Sequence, residues 1–399
     1  MNFQNLNRLN AFANMISGNF LPMTNINEKS SIVSKIYFVI VWIIQLIYLA
    51  ACTLGLFNVP WERSLKDGTV NMVLLFEVII LNIYLHSRRN LLRELIGKLN
   101  HVLINEDEMF RDVTISTIKT LEKPLRIYIL VNVTSIMVWI SSPLIKLFQK
   151  NEFYYEDFTM PVVLSEQPFS TGVFICGVFL QLFGGEYLLF RKISLDLYTM
   201  HLNLLITAQY KYLRIKFATV LKEKGETFGK DTWQNIPYDD DTTIRQEMKL
   251  LTRHFETVIE MTGMLKKLLS PNIGVLYLNY VFRFCFLSFM FATTSLLEKL
   301  TYTIIVSYTT GALIQFYILC YCIQDLFEAS SSIADDVVYE KWYSYDVRFQ
   351  RVILMISLAN ELKCKISNFQ NIDLTLPSFM SILNQAYSIC LLFLKTKQD

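Results

Sequence analysis

Glycine and proline are scarce, 13 and 9 in 399 residues, and charged side chains make up only 18%, against roughly 25% in an average globular chain. No sign of charge dominates: the formal net charge is +2, which gives no electrostatic reason for a nucleic-acid partner. The seven cysteines form no paired framework. Six lie in apolar runs, Cys364 stands alone, and Cys320 and Cys322 are too close for the usual zinc or redox spacing. These shortages exclude disorder, collagen and a small disulfide scaffold. What is abundant is apolar: 53% hydrophobic residues, with 29 Phe and 21 Tyr. The composition predicts an all-α membrane protein.

A bilayer core needs about 20 mostly apolar residues per helix. Seven runs qualify: Ile36–Phe57, Val70–Leu85, Leu125–Phe148, Gly172–Phe190, Ile273–Ala292, Thr301–Ile323 and Phe379–Leu394. No cleavable signal peptide is expected in the mixed polar stretch before them. Twenty-eight of the 37 Lys and Arg residues fall in the N-terminal segment and in the connections after runs two, four and six. Six fall on the other side, and Arg126, Lys146 and Arg283 lie within runs. By the positive-inside rule the N-terminus is cytoplasmic and the C-terminus extracellular. A G-protein-coupled receptor has the opposite orientation, and its Asp/Glu-Arg-Tyr and Asn-Pro-x-x-Tyr elements are absent. Leu204–Leu221, Ile244–Leu269 and Val347–Ile366 alternate apolar and charged residues at helical spacing, so they read as helices continuing into the cytoplasm. Lys222–Thr242, with Gly225, Gly229, Pro237 and an acidic run, reads as a surface loop.

No catalytic constellation is visible. The four histidines are scattered, no H-E-x-x-H or G-x-G-x-x-G occurs, and no metal or other cofactor is expected. Gly225–Asp231 resembles a phosphate loop only superficially, with one residue too few between its glycines and Asp231 where Ser/Thr should stand. Asn132-Val133-Thr134 matches a glycosylation acceptor but lies inside the third run. Ionisable residues within spans cost about 2.5–3.5 kcal/mol each at a helix centre, which singles out Glu77 and Arg283. Glu77 either faces a ligand cavity or ion path, or forms a buried pair; Arg283 reads as structural. Asp196, Asp325 and Glu328 read as solvated or capping residues near cytoplasmic helix ends. On the last run Ser378, Ser381, Gln385 and Ser388 share one face, either a polar packing face or part of a pore shared among copies.

The C-terminal third carries a resemblance. Tyr321-Cys322, Ser330-Ser331-Ser332, Val338-Tyr339, Trp342-Tyr343, Pro377-Ser378-Phe379 and Ala386-Tyr387-Ser388 follow one another in an order that resembles the insect odorant receptor family over roughly residues 310–395. Leu195-Asp196-Leu197-Tyr198 looks like the same family. Gustatory receptors usually end in Thr-Tyr, five residues, then Gln-Phe; here Ala386, Tyr387, Phe393 and Leu394 occupy those positions, and only the tyrosine agrees. The family's obligate co-receptor is longer before the cytoplasmic helix of span five, so this chain resembles a ligand-tuning subunit.

The resemblance implies an odorant-gated, non-selective cation channel in the plasma membrane of sensory dendrites, a tetramer formed with the co-receptor. Its division of labour would be a cytoplasmic segment 1–35, a ligand-binding bundle 36–310 with cytoplasmic extensions over 191–271, anchor helices over 311–375 and a pore-lining helix 376–399. The partners implied are the co-receptor, a volatile odorant, membrane lipid and permeating cations. The family's ligand pocket, among spans two, three, four and six, would draw on Met72, Phe76, Glu77, Met137, Ser141, Phe174, Gly177, Ile304, Tyr308 and Thr309. The terminal motif would set Cys390 and Leu394 at a hydrophobic constriction, with Tyr387 and Phe393 beside it; many relatives carry Val where Cys390 stands. The alternatives are a gustatory-receptor-like channel and a metabotropic seven-span receptor.

Overall fold

A computed structural model describes residues 1–24, 32–60, 64, 68–104, 107–228, 238–294, 299–339, 350, 351, 353, 354 and 373–396. Helices dominate: α1 Phe3–Leu6, α2 Arg8–Ile16, α3 Ile32–Phe57, α4 Thr69–Ser87, α5 Arg89–Leu103, α6 Glu108–Ser141, α7 Thr171–Phe228, α8 Tyr238–Thr293, α9 Lys299–Tyr339 and α10 Leu376–Thr396. No strand occurs among the described residues; a single bridge joins Phe153 to Phe169. Seven of these helices, α3, α4 and α6–α10, are long and apolar enough to cross a bilayer, matching the seven runs.

Their lengths exceed the apolar runs. α7 has 58 residues, about 87 Å at 1.5 Å per residue and nearly three times a ~30 Å hydrocarbon core. α8 has 56 residues, so the expected extensions over 204–221 and 244–269 are continuous with the spans. Of the loop expected over Lys222–Thr242, the parts up to Phe228 and from Tyr238 are helical instead, and the remainder lies outside the described residues. Most of Val347–Ile366 lies outside the described residues. We term the side bearing these extensions the extension face.

At the other end, the loop face, the third span reaches Phe148 as its hydropathy suggests, but its α-helical part ends at Ser141. Pro143 begins a 3-10 helix, Ser142–Phe148, because its ring and missing N–H do not fit a continuing α-helix. Residues 149–170 then fold over the end of α7. Lys146, counted within the span, instead reaches the buried Asp157, donating to its carbonyl oxygen at 2.9 Å.

The N-terminal segment is ordered against the extension face. The Met1 ammonium donates to the Leu103 carbonyl at 3.1 Å, and Phe3 packs edge-on against Tyr198. A turn at Gly18, whose φ is +67°, suits glycine's freedom there and returns the chain to α7. Asn19 donates to the Arg191 carbonyl at 3.2 Å and accepts from Asn82 at 2.7 Å.

Candidate functional site

Five helices meet in a buried polar network. Glu77 of α4 accepts from Lys192 of α7 at 2.5 Å, and from Asn279 of α8. Lys192 also donates to Asp196, one turn along α7, at 2.7 Å. The other oxygen of Asp196 accepts from Tyr128 of α6 at 3.0 Å and from Gln315 of α9 at 2.6 Å. Arg283 of α8 closes the chain, donating to Gln315 at 2.8 Å and to the Tyr308 hydroxyl at 3.1 Å. Glu77, Lys192, Asp196 and Arg283 are all buried. Two carboxylates balance two cations, so the charges stay inside because they neutralise and hydrogen-bond one another.

Glu77 is thus held in a buried pair, one of its two readings, and Arg283 bonds between helices as a structural residue would. The network corrects Asp196, which is an interior acceptor rather than a solvated residue near a helix end. Lys192 belongs to this interior rather than to the cytoplasmic basic residues, and Gln315, Tyr128, Asn279 and Tyr280, whose hydroxyl accepts from Gln315 at 3.2 Å, carry no signal in the sequence. One signal was available: Lys192 and Asp196 are opposite charges four apart on a helix. Asp325, by contrast, is partly exposed and accepts from Lys211 at 2.8 Å. Two further charges lie outside the network. Arg191 stacks on Trp42, 4.1 Å from the ring centre, and Glu186 is buried with neither carboxylate oxygen hydrogen-bonded among the described residues.

The residues expected around a ligand separate into four groups. Phe174 is fully buried and stacks on Phe153 with centroids 4.1 Å apart, and on Phe158 at 4.9 Å. Gly177 lies under the same loop; a Cβ there would come within 2.5 Å of the Phe158 ring. Glu77, Ile304 and Tyr308 are interior, Tyr308 tilting against Trp139 at 6.2 Å. Met72, Ser141 and Thr309 are half-buried. Phe76 and Met137 are 56% and 49% exposed and point out of the bundle. The structure therefore connects Glu77 to Tyr308 through the network but leaves Phe76 and Met137 on the outer surface.

α10 packs one stripe against α8. Ile382, Ala386 and Cys390 are buried, Cys390 beside Cys285, while Phe393 lies 6.1 Å from Phe286 and 6.5 Å from Phe289. Leu394 is half-buried. Ser381, Gln385 and Ser388 are exposed on the opposite stripe, together with Tyr387 at 60%. Cys390, which the motif would turn toward a constriction, faces the chain's own packing. Among the described residues no group of three or more His, Cys, Asp or Glu side chains could hold a metal.

The model of the 7tm odorant receptor family matches residues 72–387, well over half of the chain. The chain belongs to that family. Among curated insect relatives, the receptor is 27% identical over 148 residues to odorant receptor 46a, isoform A, of Drosophila melanogaster, covering 37% of this chain and 38% of that protein. It is 29% identical over 147 residues to odorant receptor 22c of the same species, covering 36% and 35%. These alignments thus span little more than a third of either relative's length. Over nearly the whole chain the fold matches that of the insect olfactory receptor OR5 from Machilis hrabei. For its complex with eugenol the TM-score is 0.75 at 14% identity, covering 99% of this chain and 98% of that one. Without eugenol the score is 0.76 at 14% identity, covering 98% and 97%. The receptor is accordingly a multi-pass membrane protein and not an enzyme.

Proposed function

We propose that this receptor is a ligand-tuning subunit of an odorant-gated, non-selective cation channel, assembled as a tetramer with the family's co-receptor. The carrying observation is α10, which packs on one stripe only and leaves Ser381, Gln385, Tyr387 and Ser388 uncovered. A lone helix of this kind encloses nothing, whereas several around an axis enclose a pore. Tyr387, on the uncovered side, and Leu394, at its edge, would reach that axis first. Cys390 and Phe393 would join the constriction after α10 turns on α8. A ring of apolar side chains blocks ions by expelling water, and widening it readmits them.

In this reading the extension face is cytoplasmic, as the Lys/Arg asymmetry requires, and the loop face is outside the plasma membrane. The N-terminus lies inside, the C-terminus outside, and the extensions of α7–α9 anchor the subunits. The ligand is a volatile, mostly apolar molecule, comparable with the eugenol bound by the Machilis relative. It would sit in the outer half among Phe174, Gly177, Ile304, Tyr308, Thr309, Met72 and Ser141. Phe76 and Met137 would meet it from the bilayer side. Opening requires that the ligand bind the open state better than the closed one. The network from Glu77 to Tyr308 supplies a continuous link between the helices such a ligand would touch.

Whole-cell current under an odorant panel, with and without the co-receptor and with G-protein signalling blocked, tests this. We expect a fast cation current that needs co-expression and survives the block. A response abolished by the block would instead identify a metabotropic receptor.

A further inference from the structure

The loop face carries a pocket separate from the bundle interior. It has a volume of about 470 Å³ and lies between the end of α3 (Asn58, Val59), the 3-10 helix after α6 (Lys146) and the folded loop that follows it (Lys150, Tyr154, Gln167). That volume suits a small organic molecule, but the lining is more polar than most ligand pockets.

Two cations converge on its wall. Lys150 reaches Asp157 Oδ1 at 2.7 Å and Lys146 reaches the same oxygen at 3.4 Å. Asp157 is nine-tenths buried, and its other oxygen accepts the Tyr154 N–H at 3.0 Å. It is therefore fully used in holding the lysines and the loop. An ammonium has three N–H donors, and among the described residues the half-exposed Lys150 makes one hydrogen bond. Tyr154, 42% exposed, and Val59 offer apolar surface beside these donors. Glu156 on the rim has a partner of its own.

We propose that this pocket binds small monocarboxylates, the carboxylate meeting the Lys150 ammonium and the alkyl or aryl part lying along Val59 and Tyr154. An organic acid is ionised at neutral pH, and an ionised carboxylate does not enter an apolar bundle without a large desolvation cost. The lining balances its two lysines with Asp157 and Glu156, so it is the half-exposed Lys150 ammonium at the aqueous mouth, not a net positive charge, that holds such a molecule. Charge-assisted hydrogen bonds to an ammonium are roughly twice as strong as neutral ones, so the acid is preferred over the alcohol of the same chain. The proposal rests on the orientation given above only for the side of the membrane on which the acid is met.

The test uses the purified full-length receptor in detergent, with sodium hexanoate and hexanol as probes and thermal stability as readout. Hexanoate is expected to raise Tm in a saturable way at concentrations where hexanol does not. Lys150→Gln should weaken the hexanoate effect about tenfold or more, measured against the variant's own unliganded Tm, while Lys299→Gln leaves it intact. Equal shifts from acid and alcohol, or a hexanoate shift unchanged in Lys150→Gln, overturn the proposal. Orientation is read separately, by labelling Lys150→Cys with a membrane-impermeant thiol reagent on intact cells. A failure of that arm strikes the topology and leaves the carboxylate result to stand or fall alone.

Discussion

α7 and α10 both carry enough apolar length to cross a bilayer, but their surroundings differ. In α7 half of the most apolar stretch is buried within the chain, and below it almost every residue from Leu188 to Leu213 is enclosed, polar ones included. In α10 the corresponding share is 17%. A helix buried all round can hold Lys192 and Asp196 because α4, α6, α8 and α9 bring partners to them. A helix packed on one stripe cannot, and apart from Lys395 in its last turn its polar residues are hydroxyls, amides and a phenol rather than charges. Similar hydropathy thus serves a scaffold in one case and, in our reading, a surface shared among subunits in the other.

The largest expected effect comes from removing the central cation of α7. Lys192→Met leaves Glu77 and Asp196 buried without their shared partner and with only Arg283 to balance them, at about 3–5 kcal/mol. We expect little folded protein at the cell surface, with partial recovery on adding Glu77→Gln. Wild-type surface levels and Tm for Lys192→Met would mean that the network does not hold the scaffold together. Next is the approach of α7 to α3: a Cβ at Gly184 would lie 2.4 Å from the Tyr48 ring, whereas Gly172 has nothing within 4 Å. Gly184→Val should cost about 1–3 kcal/mol by overpacking, and Gly172→Ala should leave Tm unchanged.

A smaller effect is expected at the loop sealing the outer end of α7. Burial pushes the Asp157 carboxyl up, but Lys150, the Tyr154 N–H and Lys146 outweigh it and hold it below the ordinary carboxylate value. Its contribution is therefore complete above the usual carboxylate range near pH 4 and lost as pH falls through the lower folded value. Limited proteolysis of residues 149–170 should accelerate on acidification below that range, and Asp157→Asn should remove the dependence. The smallest effect on stability is expected in α10. Tyr387→Ala should shift the Tm of the isolated subunit by no more than about 0.5 kcal/mol equivalent, while altering odorant-evoked current in the co-expressed channel. A loss of folding in that variant would show that α10 is packed like α7 and break the contrast.

Much of the fold was legible in the residues. Seven spans follow from hydropathy, and the extensions of α7 and α8 from alternation at helical spacing. The third span ends at Phe148, as its hydropathy predicts; what hydropathy does not show is the change from α to 3-10 geometry over Ser142–Phe148. The site was legible only in part. Glu77 and Arg283 stood out as charges inside spans, but Lys192 and Asp196 lie past the apolar run of span four, where the same residue types are ordinarily wet. Nothing local distinguishes Gln315 or Asn279 as their partners.

The sequence by itself determined the number of spans and, through motifs near the C-terminus, the family. Both depend on properties that each short stretch carries alone: transfer into lipid, and residue identity. The tertiary structure alone decided which charges are buried, which stripe of α10 is free and what seals the loop face. Those depend on residues far apart in the chain, such as Glu77 with Asn279 or Cys285 with Cys390, and a charge's cost is set by the partners that reach it rather than by its neighbours in sequence.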